Sequence, residues 1–224
     1  MYWKDEGYLL SKNNFDENST IIETFTLNHG KCSGIVYGGS SKKLKKNFQI
    51  GNKILLNWRS KSEHKIGYFN TELIKPISPL FFDDKKRSIC ILAATSILKI
   101  LLPERQINKK IYFSFEQLVE QFNHDDWIKL YILWEISLIN ELGYEIDIGV
   151  KNDFVQTLAE INNSTINIST LLRNINNKKF SKDEISKGLN FTYNLFIENF
   201  IIPNKLKMPL SRKILQKYFV NNSI

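Results

Sequence analysis

Apolar and polar residues follow a period of two through the first third of the chain and a helical period after it. In KILLNWRS (53 to 60), Ile54, Leu56 and Trp58 alternate with Lys53, Asn57 and Arg59, broken only by Leu55. That pattern predicts a strand with one dry face. EGYLLSK (6 to 12), STIIETFTL (19 to 27), KCSGIVY (31 to 37) and KIGYFNTELI (65 to 74) share its β-branched and aromatic content. The turn formers NNFDEN, NHG, YGGSS and KSEHK separate them. Five short strands in about 75 residues predict a small closed barrel; an OB-fold fits, and an SH3-like barrel fits nearly as well.

After KPISPL, where Pro76 and Pro79 punctuate the chain, the spacing becomes helical: Ile89, Leu92, Ala93, Ile97, Ile100 and Leu101, then Ile111, Phe115, Leu118 and Phe122. Residues 125 to 142 are apolar on most sides, with Trp127, Tyr131, Trp134, Leu138 and Leu142 on one stripe, as in the central helix of a bundle. Asp125 is the expected N-cap and Gly143 the expected left-handed residue past the end. SKDE (181 to 184) reads as a capping box ahead of Ile185, Leu189, Phe196 and Phe200, with Pro203 beyond. A last short helix is expected from Ser211. The expected architecture is therefore α+β: a five-stranded N-terminal barrel over residues 1–78 and an α-helical domain over 79–224.

Composition fits a globular chain: 224 residues, 42% hydrophobic and 24% charged. Two cysteines, Cys32 and Cys90, make neither a disulfide framework nor a four-thiolate zinc site, so a reducing compartment is expected. MYWKDEGYLL places acids where an export signal needs an apolar core. The longest apolar run, ICILAATSILKILL (89 to 102), contains Lys99 and falls short of the roughly 20 residues a membrane span requires. A cytoplasmic location and no membrane partner are the expectation.

Charge distribution changes the picture. No acidic residue occurs between Glu23 and Glu63, an interval holding Lys31, Lys42, Lys43, Lys45, Lys46, Lys53, Arg59 and Lys61. The chain has 31 basic and 23 acidic residues, so outside this interval 23 of each cancel and the net charge of +8 resides in 39 consecutive positions. Such confinement points to a polyanion partner, because cations that neutralise phosphates release counterions and supply affinity independent of sequence. Gly38 and Gly39 permit a tight turn ahead of Lys42, Lys43, Lys45 and Lys46, which can reach phosphates without fixed register. Lys31, Lys53, Arg59 and Lys61 extend the track, exposed Tyr37 or Tyr68 offers a surface for base stacking, and Trp58 points inward.

No constellation for catalysis accompanies this pattern. His29 and Cys32 have the spacing of two metal ligands, yet a strand-edge turn explains both and no second pair follows. The acid pairs at 83–84 and 125–126 precede helices, where carboxylates favour the positive end of the dipole. His64 and His124 stand alone, and YGGSSKK is too short for a phosphate-cradling loop. The expectation is a binding protein with no catalytic centre, no cofactor and no metal. Within that class, a DNA-binding protein competes with an RNA- or ribosome-associated OB-domain protein.

DEGYLLS, ENSTIIETFTLNHGKCSGIVYGGSSKK, QIGN, WEISLINELGYEID (134 to 147) and PLSRKILQKYF occur in an order and spacing that resemble the RecO family of DNA repair proteins over most of the chain. The resemblance implies an N-terminal OB-fold followed by a helical domain. It also implies a recombination mediator rather than an enzyme, one that binds single- and double-stranded DNA, anneals complementary strands, and with RecR helps load RecA onto strands coated by single-strand-binding protein. Many members of the family have a cysteine-bearing zinc loop after the LGY helix. Here GYEIDIGVKNDFVQTLAEINN has no cysteine, so no zinc is expected. The resemblance further implies a cationic site in the helical domain for the acidic, Phe-ended tail of single-strand-binding protein. Lys129 precedes WEISL; Lys205, Lys207, Arg212, Lys213 and Lys217 near the C-terminus are the stronger candidates.

Overall fold

A computed structural model describes residues 1–39, 48–62, 66–144 and 180–220. The Lys42–Lys46 loop, His64 and the segment where the family's zinc loop would fall lie outside the described residues.

Five strands form where the period-two pattern runs: β1 (Tyr2–Asn14), β2 (Ser19–Thr26), β3 (Gly30–Tyr37), β4 (Lys53–Arg59) and β5 (Gly67–Lys75). The pairing order β1-β2-β3-β5-β4 returns to β1 and closes a barrel, as expected of an OB-fold. Every pairing is antiparallel except β3 with β5, a parallel seam of two registered pairs, Gly34 with Gly67 and Ile35 with Tyr68. Glycine is required at this seam because a Cβ on Gly67 would lie 2.1 Å from Trp58 Nε1 and one on Gly34 2.4 Å from the Phe69 ring. Leu9, Ile22, Val36, Phe48, Ile54, Leu56, Trp58 and Phe69 fill the interior.

The chain divides into two compact units, the first comprising Met1–Tyr112 with Pro209–Leu215 and the second Phe113–Met208 with Gln216–Ile224. The first unit therefore extends past the boundary expected at 78/79. Asn52, fully buried, ties the barrel to the chain just beyond β5, its Oδ1 accepting the amides of Ile77 (2.8 Å) and Ser78 (3.2 Å). Helix α1 (Lys85–Leu101) packs on β1, and Lys99 bridges to Glu23 (2.8 Å) and Ser11 Oγ (3.2 Å). Because α1 covers one face of β1, consecutive residues Tyr8, Leu9 and Leu10 are all buried. Asp84 caps α1 through the Arg87 amide (3.0 Å), the role expected of that acid pair. Ser211, in the first turn of α5 (Leu210–Val220), donates to the Leu92 carbonyl (3.1 Å), which attaches this short segment to α1.

The second unit takes in α2 (Lys109–Glu120) from Phe113 onward, then α3 (Trp127–Glu141) and α4 (Lys182–Phe196). Every residue of α3 from Trp127 to Ile139 is buried, as its apolar circumference predicts. The buried Glu135 carboxylate accepts the Tyr131 hydroxyl (2.5 Å) and the Thr192 hydroxyl (2.5 Å), joining α3 to α4 with both oxygens satisfied. Gly143 has φ +91°, the left-handed ending expected of it. The N-cap position of α3 is Asp126 rather than Asp125, and no side-chain bond caps it. Ser181 and Glu184 form the expected capping box on α4.

Candidate nucleic-acid interface

The register of the barrel sets four exposed side chains in a row. Arg59 of β4 is directly opposite Tyr2 of β1 and also opposite Tyr68 of β5. Ile35, opposite Tyr68, lies two residues before Tyr37 on β3. Directly opposed residues share a face with Cβ atoms about 5 Å apart, so Tyr2, Arg59, Tyr68 and Tyr37 line one surface across four strands. A groove of about 540 Å³ runs along them, with Asn57 and Asn70 in its walls.

Tyr37 is 63% exposed and Tyr68 41%, and their rings stack at 5.0 Å between centroids with 16° between planes. A hydrogen bond with the Tyr68 side chain raises the Tyr37 phenol above its ordinary range. The Arg59 guanidinium lies 5.5 Å from the Tyr2 ring centroid, and the Tyr2 hydroxyl donates to Asn57 Oδ1 (3.1 Å). The arrangement offers flat π faces for bases and a planar cation for a phosphate oxygen. Gly38 has φ +68°, a left-handed turn directly after Tyr37, where the expected cationic loop begins; Gly39 packs against Thr20.

The other expected cations divide. Arg59 and Lys61 are exposed. Lys31 and Lys53 do not keep the uncompensated charge that the sequence suggested. Lys31 donates to the Lys99 carbonyl (2.9 Å) and faces Glu104 at 3.8 Å, and Lys53 pairs with Glu6 at 2.8 Å while lying 5.8 Å from the Tyr8 ring centroid. The chain folds acids from outside the basic segment onto these two, so they brace the barrel. Trp58 points inward as expected. His29 and Cys32 are both engaged: His29 Nδ1 lies 2.8 Å from Asp5 Oδ2, and Cys32 Sγ donates to the His29 carbonyl (3.2 Å). Burial pushes the Cys32 thiol up to about 12, which keeps it protonated and a poor metal ligand at neutral pH. Among the described residues no helix is long and apolar enough to cross a membrane.

Residues 1–77 match the family model described as recombination protein O N terminal, and residues 83–150 match recombination protein O C terminal. The chain belongs to the RecO family. Among curated relatives, it is 33% identical over 147 residues to a protein of Roseobacter denitrificans, covering 65% of this chain and 61% of that protein. It is 33% identical over 151 residues to one of Wolbachia pipientis subsp. Culex pipiens, covering 66% of this chain and 62% of that protein. Both relatives are called DNA repair protein RecO, and the chain spans less than two thirds of the length of either.

In this RecO-family chain the cations expected to receive an acidic peptide are not equally displayed. Lys205, Lys207, Lys213 and Lys217 are exposed, with Lys205 in a left-handed turn at φ +52°. Arg212 is fully buried and Lys129 is 3% exposed, its ammonium 4.6 Å from the Phe180 ring centroid. Neither presents its charge to a docking peptide. Burial lowers the Lys129 pKa, opposed by attraction to Asp126 and Glu184. A lysine whose folded pKa is depressed destabilises the fold while charged, and the penalty fades as pH rises through the folded pKa towards 10.5. Lys129→Met is therefore expected to unfold at higher urea than the parent at pH 7, with the difference shrinking by pH 10; a gap that widens with pH contradicts this assignment.

Proposed function

We propose that this chain acts in DNA repair as a recombination mediator without a catalytic step: it binds single and double strands on the barrel, anneals complementary strands, and with RecR helps load RecA onto strands coated by single-strand-binding protein. The observation that carries the reading is the exposed Tyr2–Arg59–Tyr68–Tyr37 row on a barrel matching the RecO N-terminal model. Stacking on π faces is indifferent to base identity, and phosphate contacts carry no sequence information, so any strand is accepted. Annealing then follows from electrostatics. Screening two polyanions lowers their mutual repulsion, and weak contacts leave base edges available for pairing. Exposed Lys205, Lys207 and Lys217, all in the second unit, are the cations proposed for the acidic tail of single-strand-binding protein.

A strand-annealing assay with complementary oligonucleotides, with and without magnesium, tests this reading. Metal-independent annealing is expected, and cleavage of either strand or preference for RNA counts against it. Changing Lys42, Lys43, Lys45 and Lys46 to alanine removes four potential phosphate contacts, and in a salt series of single-strand binding titrations the slope of log affinity against log salt should flatten by about 2.8, at roughly 0.7 per phosphate. An unchanged slope in the folded variant rejects the loop.

A further inference from the structure

We propose that the groove beside Arg59 takes one unpaired nucleobase, its pairing edge hydrogen-bonded by Asn57 and Asn70 while its ring stacks on an exposed tyrosine, so that the site holds a single strand and yields it to a complementary base. This inference rests on the strand-binding reading and names what that surface recognises. The groove exists because β3 and β5 part. Their parallel pairing stops at Ile35 with Tyr68, and beyond it Val36 and Tyr37 of one strand and Phe69, Asn70 and Thr71 of the other line an opening.

Register places the amides. Asn57 of β4 is directly opposite Asn70 of β5, one row along from Arg59 opposite Tyr68. Directly opposed residues share a face with Cβ atoms about 5 Å apart, and residues two apart on a strand share it at roughly 7 Å. All four side chains line the groove. Two carboxamides therefore sit beside a cation and an aromatic ring on one surface, within reach of a base stacked at Tyr68. The Tyr2 hydroxyl donates to Asn57 Oδ1 (3.1 Å), which orients that amide and leaves its Nδ2 hydrogens for a ligand. Asn70 is exposed and makes no side-chain hydrogen bond among the described residues. Thr71, next in the chain and 8% exposed, lines the same groove with a hydroxyl that has no hydrogen-bond partner. Unmet buried polar atoms are uncommon in a native fold, and this one adjoins the amide pair.

A carboxamide presents a donor and an acceptor side by side, the combination found along the pairing edge of a base. Asn70 can turn to offer either group, and Asn57 adds donors, so each of the four bases finds a match and no sequence is selected. A base inside a duplex has both faces stacked and its pairing edge taken, and the groove refuses it. Duplex binding is left to cations, which need only phosphates. Only the base in the groove is masked, so the rest of the strand stays open to its complement. When pairing reaches that base, the partner base competes for the same edge and the strand leaves.

The test compares two short single strands on the full chain: oligothymidylate, and the same backbone carrying 2,4-difluorotoluene, an isostere that keeps the size and flat faces of thymine and lacks its hydrogen-bonding edge. Two hydrogen bonds of ordinary strength predict that the parent binds the thymine strand about tenfold more tightly. To the double variant Asn57→Ala, Asn70→Ala the two strands should bind alike. A parent that binds both strands equally overturns the inference and leaves the strand-binding reading standing; a parent that binds neither overturns both. This comparison needs no variant to fold. A preference that survives in the double variant assigns the edge contact to other residues and overturns the proposal as well. The side-chain amide resonances of Asn57 and Asn70 should shift saturably with the thymine strand, stay in place with the isostere, and return when oligodeoxyadenylate is added. Shifts that persist after the duplex has formed overturn the release step.

Discussion

The double variant Tyr37→Ala, Tyr68→Ala is expected to bind a single-stranded oligonucleotide roughly 100-fold more weakly than the parent, since base stacking contributes about 1–3 kcal/mol per aromatic side chain. Both rings are exposed and stack mainly on each other, so thermal stability should change little. No charge is removed, so the salt slope should stay the same. That combination separates these residues from the lysine loop, whose loss flattens the slope. Phenylalanine at both positions keeps the π faces and deletes the hydroxyl pair, and affinity should then remain near parental. A folded alanine variant with affinity within a fewfold of the parent shows that bases do not stack on this pair.

Gly67→Ala should destabilise the first unit by about 3 kcal/mol, at the upper end of overpacking effects. The new methyl carbon would fall 2.1 Å from Trp58 Nε1 and 2.3 Å from its Cε2. Retreat of the indole would cost it its burial and its stack on Trp3. Moving β5 away instead would open a seam that holds only two registered pairs. Urea unfolding should show a lower midpoint with an unchanged m-value, and Trp58→Phe in the same chain, by shrinking the ring, should recover part of the loss. A midpoint equal to the parent's contradicts the packing described for this seam.

The barrel was legible in the sequence because its strands alternate, and Trp58 could be assigned inward from its neighbours alone. β1 was harder. Its first residues, Tyr2 to Asp5, place a carboxylate inward, and a buried acid erases the apolar half of the alternation, so the expected strand began at Glu6 and Tyr2 was missed. The pattern Tyr2, Lys4, Glu6 on one face was the available signal. Lys31 and Lys53 were misjudged for a different reason. Charge along the chain is local, whereas Glu104 and Glu6 reach them only through tertiary contact. Lys129 sits in a stretch whose apolar residues ring the helix, a cue that its charge would be buried with them.

With Lys31 and Lys53 neutralised internally, most of the remaining excess cations of the basic segment belong to the loop that begins directly after Tyr37 and its Gly38 turn. In the proposed mediator, capture and retention of a strand would then be carried by different groups. The field of Lys42, Lys43, Lys45 and Lys46 would act over about 10 Å at moderate salt and set how fast an encounter forms. The tyrosine pair would act only on contact and set residence time. Ionic strength should therefore tune arrival while leaving departure nearly constant, an arrangement that lets a bound strand persist without making its capture sequence-dependent.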